Sequence, residues 1–192
     1  MKRIIGNSTD YPTKSLFFRG VALLVLILSV CTSNVIAQHK FPVPSGNLSQ
    51  LFYLQRTPNT NTIVYELNEK NGVLDTKDPV HVFWIRYGDK GEQAELSYIQ
   101  RRFAYGLNAR LIDKDKYELR FVSYKKYVLY LMKAKDNKFH VYATINGKLT
   151  ILNRIFIHIK SGGSFWSPNI DYVELNAYDS LTGAPVTGTI KV

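Results

Sequence analysis

The chain has 192 residues, of which 45% are hydrophobic and 21% charged, and its net charge is +10. This composition is typical of a globular protein and excludes a disordered or fibrous chain. Without its N-terminal segment the chain has the length of one ordinary domain, which excludes a multidomain enzyme.

The first 37 residues have the pattern of a signal peptide. The segment is basic at its start and apolar over residues 21–30 apart from Ser29, and it ends in the small-residue signal Val35-Ile36-Ala37. We predict a signal peptide over residues 1–37, cleaved near Ala37, and export to the periplasm or the outside medium.

Two alternatives to cleavage follow from the same segment. Its apolar run of roughly 10 to 12 residues is shorter than the ~20 of a spanning helix, so we expect no stable transmembrane anchor. Cys31 follows a sequence similar to a lipobox, but Val30 occupies a position that normally holds a small residue, which argues against a lipoprotein. Cys31 is the only cysteine, so the cleaved chain would have no disulfide and no thiol nucleophile.

The positive charge is concentrated in one region. Removing four basic residues and Asp10 from the 25 basic and 15 acidic residues leaves 21 and 14, a net charge of +7. Residues 101–138 contain eleven basic and four acidic residues, which is also +7. Such a surface would attract an anionic lipid or glycan, unless its lysines only solvate turns and strand edges. We expect no nucleic-acid partner, because the chain has an export signal and lacks nucleic-acid-binding motifs.

The predicted elements after the signal peptide are mainly strands. Residues 38–47, with Pro42 and Pro44, predict an extended leader before one domain over residues 48–192. Two extended runs, 51–56 and 62–67, flank a turn and predict a hairpin, and residues 80–87 predict a central strand.

The second half of the chain predicts one helix and further strands. Leu96, Ile99 and Phe103 have helical spacing, so we predict a helix over residues 92–105 with this face inward. Residues 117–124, 127–134, 139–145 and 149–159 predict an antiparallel meander, and 171–178 and 186–192 a last pair. The fold class is mainly β, a β-dominated α+β domain. It is an antiparallel sandwich or a partly open barrel of about eight to nine strands with one helix.

Four stretches carry a family resemblance: residues 41–44 (FPVP), 51–56 (LFYLQR), 61–68 (NTIVYELN) and 82–87 (VFWIRY). In these stretches the chain resembles an uncharacterised family of exported bacterial proteins, domain of unknown function 4833. The resemblance implies export and a single domain. It supplies no catalytic or binding residue.

The sequence contains no recognisable catalytic or metal motif. His39, His81, His140 and His158 lack a second ligand at metal spacing within their own strands, although His140 and His158 could approach each other across strands. Glu66 and Glu174 could form an acid–base pair only if both projected into one cavity, and otherwise they face solvent or pair with arginines. We therefore predict no catalytic residue, no metal and no cofactor.

The candidate binding residues combine aromatic and basic side chains. Tyrosine joins a flat apolar ring to a polar tip, which suits contact with a sugar or a lipid head group. The aromatics could equally fill strand positions for which they have high propensity. The candidate ligand-binding set is Arg86, Arg120, Tyr124, Lys125, Lys126, Tyr127 and Trp166.

Three functions are compatible with these features. The first is an exported, non-catalytic β-domain that binds an anionic or amphipathic envelope component, either a glycan or a lipid. The second is a structural or assembly protein that holds an envelope protein partner. The third is a hydrolase whose site is assembled from distant residues.

Overall fold

Thirteen strands, one short helical segment and a 3₁₀ turn (Tyr87–Asp89) form the regular structure of the part of the chain that the structure, a computed structural model, describes: residues 41–164 and 167–191. The predicted signal peptide, residues 38–40 of the leader and Trp166 lie outside the described residues. The strands are β1 (Gln50–Arg56), β2 (Thr62–Leu67), β3 (Glu69–Lys70), β4 (Val73–Leu74), β5 (Val80–Arg86), β6 (Glu92–Glu95), β7 (Leu107–Asp113), β8 (Lys116–Phe121), β9 (Val128–Lys133), β10 (Phe139–Ile145), β11 (Lys148–Gly163), β12 (Pro168–Asp179) and β13 (Pro185–Lys191). The helical segment consists of α1 (Tyr98–Gln100) and a π turn (Arg101–Tyr105).

The long strand β11 joins the sheet together. One edge of β11 pairs first with β10 and then with β1, and the other edge pairs with β12, which pairs with β13. The first wing of the sheet, β6-β5-β2-β1, and the second wing, β10-β9-β8-β7, therefore diverge from β11. The result is a curled half-barrel, which confirms the predicted mainly β fold and partly open barrel.

One strand pair differs from the prediction of an antiparallel sheet. β1 pairs in parallel with β11, with Tyr53 opposite Arg154 and Arg56 opposite Ile157. All the other described pairs are antiparallel. A parallel pair needs a long connection between its strands, and here the rest of the first wing and the whole second wing lie between β1 and β11 in the sequence.

The core lies on the inner face of the half-barrel, between the two wings. Alternate residues of each strand point inward, so β1 contributes Phe52 and β2 contributes Tyr65, whose rings stack with centroids 4.3 Å apart. Leu119 and Leu129 of the second wing belong to the same buried cluster. Burial of this apolar face is the main force that closes the wings around one core.

The outer face of the first wing has its own cover. Tyr53, Val64 and Phe83 form a second, smaller buried cluster there. The leader crosses this region, because the ring of Phe41 meets that of Phe156 edge-on at 4.7 Å. The sheet is therefore buried on both sides near β1, which explains why β1 reads as a nearly continuous apolar run.

The predicted helix over residues 92–105 is wrong in its first part and in its inward face, because Ile99 and Phe103 are 50% and 58% exposed. Glu92–Glu95 instead forms β6, the charged edge strand beside β5, so β5 is next to the edge of the sheet and not central. The helical segment begins after Ser97, whose hydroxyl accepts from the Gln100 backbone N–H while the Gln100 side chain accepts from the Ser97 N–H. Within the described residues, no helix is long and apolar enough to cross a bilayer.

Candidate functional site

An apolar cavity of about 360 Å³ opens at one end of the half-barrel. Its floor comes from the inner faces of β1, β11, β12 and β13, and its walls come from the helical segment and the turn between β8 and β9. Most of the side chains that the strands contribute are aliphatic, among them Leu54, Ile155, Ile157, Val173, Leu175 and Ile190. This end of the core is therefore lined by apolar side chains but not filled.

A polar pocket of about 290 Å³ adjoins the cavity. Three residues line both spaces, Arg56, Gln100 and Tyr105, so the two are neighbours across these side chains. Arg86 and Asn61 line the polar pocket but not the apolar cavity. Together the two spaces offer an apolar compartment that ends at a pair of arginines.

The strand pattern brings Arg56 and Arg86 to the same end of the first wing. Inward positions alternate along a strand, so Arg56 follows Leu54 on β1 and Arg86 follows Trp84 on β5. Both strands run antiparallel to β2 and lie on either side of it. The positions of Arg56 and Arg86 are therefore two strand spacings apart, about 10 Å. Two long arginine side chains at this separation can contact one carboxylate or phosphate group from opposite sides.

Arg56 has an unsatisfied donor. Its Nε is buried and has no hydrogen-bond partner, and among the described side chains it is the one buried nitrogen or oxygen in this state. No carboxylate of the described residues lies within 4.0 Å of Arg56 or Arg86, although Asp89 lines the same polar pocket. Buried polar groups nearly always have partners, so this position departs from the rule at the boundary of a cavity.

Tyr105 connects the helical segment to the core beside Arg56. Its ring meets Trp84 edge-on at 5.2 Å, and its carbonyl oxygen accepts from the Tyr65 hydroxyl at 2.9 Å. The Trp84 Nε1 donates to the Gln100 Oε1 at 3.3 Å. Burial raises the pKa of the Tyr105 hydroxyl, and the positive charge of Arg56 offsets part of this increase.

Three of the predicted binding residues line the two spaces. Tyr124 and Tyr127 line the apolar cavity, and Arg86 lines the polar pocket. The Tyr127 hydroxyl donates to the carbonyl oxygen of Thr144 at 2.8 Å, and burial raises its pKa. The ring of Tyr127 is thereby fixed beside the cavity, whereas Tyr124 is exposed at its mouth.

The other predicted binding residues lie outside the cavity. Arg120 donates from Nε to Glu118 at 2.8 Å and from Nη1 to the carbonyl oxygen of Lys125 at 2.6 Å, so it holds the turn in place. Lys125 and Lys126 are exposed in that turn. Trp166 lies outside the described residues.

The carboxylates considered for acid–base catalysis do not share a cavity. The Glu66 Oε1 lies 3.0 Å from His81 Nδ1, and Glu174 accepts from the Asn176 side chain at 2.8 Å. Neither lines the cavity or the polar pocket. Within residues 41–164 and 167–191 no cluster of three potential ligands could hold a metal ion. His140 pairs with Asp136, and His158 stacks on Tyr172.

Comparison with family models finds a match over most of the chain. Residues 52–188 match the model described as Domain of unknown function (DUF4833). The chain belongs to this family. The match runs from β1 to β13 of the DUF4833 domain, so it spans both wings and nearly all residues of the two spaces. Neither the search of curated proteins nor that of solved structures finds a match.

Reasoning from sequence missed three residues of the DUF4833 domain that line both spaces: Arg56, Gln100 and Tyr105. A signal for Arg56 was present, because it continues the inward alternation of Phe52 and Leu54 and so places a charge on the core face. Gln100 and Tyr105 give no such signal, because the predicted helix over residues 92–105 directs Leu96, Ile99 and Phe103 inward instead.

Proposed function

We propose that the DUF4833 domain is an exported, non-catalytic binding module for an anionic amphiphile, a molecule with an apolar chain and an acidic head group. The apolar chain occupies the cavity, and the head group lies in the polar pocket between Arg56 and Arg86. The observation that carries this proposal is the unpartnered Arg56 Nε at the boundary of the two spaces.

The chemistry of arginine supports an acidic head group. A guanidinium group presents several donors in a plane and matches the oxygens of a carboxylate or a phosphate. Leaving such a donor buried without a partner costs about 1–3 kcal/mol, and a bound anion removes that cost. Arg154 on the outer face, in contrast, has a partner in Gln55 and is not available in this way.

The size and lining of the cavity support a slender apolar chain. Ligand sites range from about 300 to 1,000 Å³ and are mostly apolar with a few polar groups that orient the ligand. At about 360 Å³ the cavity is at the small end of this range. A single alkyl chain suits it better than the several chains of a whole lipid or the polar rings of a glycan.

Among the described residues no two carboxylates face each other across either space, which favours binding over hydrolysis. Glu66 and Glu174 have polar partners elsewhere, and the groups nearest the two arginines are amides, aromatic rings and Asp89. Arginine remains protonated and cannot act as a general base. Binding is the function that this set of side chains suits best.

The experiment compares three ligands of equal chain length: dodecanoate, dodecyl phosphate and 1-dodecanol. Their affinities are measured by titration calorimetry with protein isolated from the cells that naturally produce it. We expect both acids to bind about ten- to a hundredfold more tightly than the alcohol, because hydrogen bonds to charged groups contribute about 1.5–3 kcal/mol. The ratio of the two acids identifies carboxylate or phosphate as the preferred head group.

Variants locate the binding site. Arg56→Gln and Arg86→Gln should each reduce the preference for the acids about tenfold, and Ala104→Leu, which narrows the cavity, should weaken all three ligands. Arg110→Gln is the matched control, because Arg110 is an exposed arginine that pairs with Glu118. Equal affinities for acid and alcohol in the unaltered protein, or equal losses in the control, would refute the proposal.

A further inference from the structure

The rim of the cavity combines exposed apolar side chains with cations. Ile99 and Phe103 of the helical segment are 50% and 58% exposed, yet both also line the cavity. Tyr124 does the same from the turn between β8 and β9. An apolar surface therefore continues without interruption from inside the cavity to the outside of the molecule.

The two elements of this rim are fixed to each other. The Ser123 hydroxyl donates to the carbonyl oxygen of Ala104 at 2.6 Å, and the Val122 N–H donates to that of Gly106 at 3.0 Å. Gly106 lets the chain leave the π turn close to its backbone, because a β carbon there would overlap the carbonyl oxygen of Arg101. The helical segment and the turn thus form one ridge beside the mouth, which we call the mouth ridge (residues 98–106 and 122–127).

Three cations of the mouth ridge have no acidic partner in the part of the chain that the structure describes. Arg102 lies 5.7 Å from the centres of the Tyr98 and Phe103 rings, and its Nη1 donates to the Tyr98 hydroxyl. Among the described residues no carboxylate lies within 4.0 Å of Arg102, Lys125 or Lys126. The ridge presents these positive charges together with the exposed apolar side chains.

We propose that the mouth ridge docks on the surface of an anionic phospholipid bilayer, so that the cavity opens toward the membrane. Interfacial protein surfaces combine apolar and aromatic side chains, which enter the head-group region, with lysine and arginine, which attract anionic lipids. The ridge has both, and its apolar part leads into the cavity. This inference rests on the proposed function, because it names the membrane as the place where the amphiphile is bound or released.

The test is cosedimentation of the protein with vesicles of phosphatidylcholine alone and with vesicles that contain 30% phosphatidylglycerol. The protein is again isolated from the cells that naturally produce it. We expect binding to the anionic vesicles to be at least tenfold stronger. We expect Lys125→Glu with Lys126→Glu, and separately Ile99→Ser with Phe103→Ser, to reduce that binding at least tenfold.

Two matched controls use the opposite end of the strands. Lys114→Glu with Lys135→Glu changes the net charge by the same amount in turns that lie at the other ends of β8 and β9. Leu111→Ser with Ile112→Ser removes exposed apolar side chains from β7. Both pairs should leave vesicle binding unchanged, and near-ultraviolet circular dichroism should show that all the variants are folded. Losses in the controls as large as those in the ridge variants would overturn the proposal.

Ligand binding without vesicles separates this inference from the proposed function. Lys125 and Lys126 do not line the cavity, so their double variant should keep its affinity for dodecanoate while it loses the vesicles. If the unaltered protein binds dodecanoate but no vesicle, the docking proposal fails and the proposed function stands. If it binds vesicles but no amphiphile, the proposed function fails. Crosslinking of the ridge lysines to an envelope protein, with no vesicle binding, would overturn docking in favour of a protein partner.

Discussion

Arg56 and Arg154 lie on neighbouring strands but on opposite faces of the sheet, and their surroundings differ. On the outer face, the Arg154 Nε donates to Gln55 Oε1 at 2.9 Å, and its guanidinium group lies 4.5 Å from the centre of the Phe156 ring. On the inner face, the Arg56 Nε is buried without a partner. The Nε of Arg154 thus has a hydrogen-bond acceptor within the protein, whereas the Nε of Arg56 has none and lies beside a cavity.

The outer arginine serves the structure through its hydrogen bond, and under the proposed function the inner arginine serves binding. Gln55 is 1% exposed, and its Nε2 donates to the Thr62 hydroxyl and to the carbonyl oxygen of Pro42. This network fastens the leader to the sheet and leaves none of Gln55's groups unpaired. The polar groups of this outer network are all hydrogen-bonded, but the Arg56 Nε is not, and this lowers stability at one place. Proteins accept such local losses of stability at binding sites. Substitutions on the two faces should therefore have opposite effects on stability.

The largest effect is expected for Gln55→Leu. The leucine has a similar volume but leaves the Thr62 hydroxyl, the Pro42 carbonyl and the Arg154 Nε without their partner. Each unpaired buried group costs about 1–3 kcal/mol, and water can reach some of them, so we expect a loss of about 2–4 kcal/mol. Urea unfolding followed by tryptophan fluorescence measures it.

Gln93→Leu is the control for this substitution, because Gln93 is exposed on the edge strand β6. Its free energy of unfolding should stay within about 0.5 kcal/mol of that of the unaltered protein. A change of similar size in both variants would mean that the outer network does not stabilise the fold.

A smaller loss is expected for Arg154→Met. The methionine preserves part of the contact with Phe156 but removes the hydrogen bond to Gln55 and the cation over the ring. We expect a loss of about 1–2 kcal/mol in the free energy of unfolding, and an unchanged affinity for dodecanoate. A large loss of ligand affinity in this variant would show that the outer face also belongs to the site.

The opposite sign is expected for Arg56→Met. Replacing a buried, unpartnered donor with an apolar side chain of similar length removes a desolvation cost, so the free energy of unfolding should rise by about 1 kcal/mol. The same substitution should abolish the preference for an acid over the alcohol of equal length. A destabilised Arg56→Met protein would mean that Arg56 has a structural partner, and the contrast between the two arginines would then disappear.

The sequence predicts where the strands lie better than it predicts which strands pair with each other. Alternating and aromatic runs identified β1, β2, β5 and the meander, because each run carries its own pattern. For the edge strand β6 the sequence predicts a helix, since its glutamates suit a first helical turn and only the pairing with β5 makes it a strand. The parallel pairing of β1 with β11 joins residues about a hundred positions apart, and no local pattern encodes it.

The site was predictable to a similar extent. The sequence indicates Arg86 because it is a charge on an apolar strand, and it indicates Tyr124 and Tyr127 because they are aromatic residues in a basic region. The cavity itself arises where the helical segment and the end of β12 fail to fill the space beneath them. That depends on tertiary packing, so Gln100 and Tyr105 could be assigned to the site only once the fold was known.

The smallest effect links Arg56 to its neighbour Tyr105. Burial raises the pKa of Tyr105 from its ordinary value of 10.0, and the charge of Arg56 lowers it in part. Arg56→Met should therefore raise this pKa further. The absorbance of tyrosinate near 295 nm measures the titration, and subtracting the curve of Tyr105→Phe in each background isolates the contribution of this one residue.

The sign for stability follows from the direction of the shift. A tyrosine whose pKa is higher in the folded state stabilises the fold below about pH 10, and this stabilisation is lost as the pH rises above the pKa of the unfolded chain. Because Arg56→Met raises the folded pKa, it should extend this loss to a higher pH than in the unaltered protein. Arg154→Met, whose side chain lies on the other face, should leave the Tyr105 titration unchanged. An equal shift in both variants would mean that Tyr105 responds to net charge and not to Arg56 beside it.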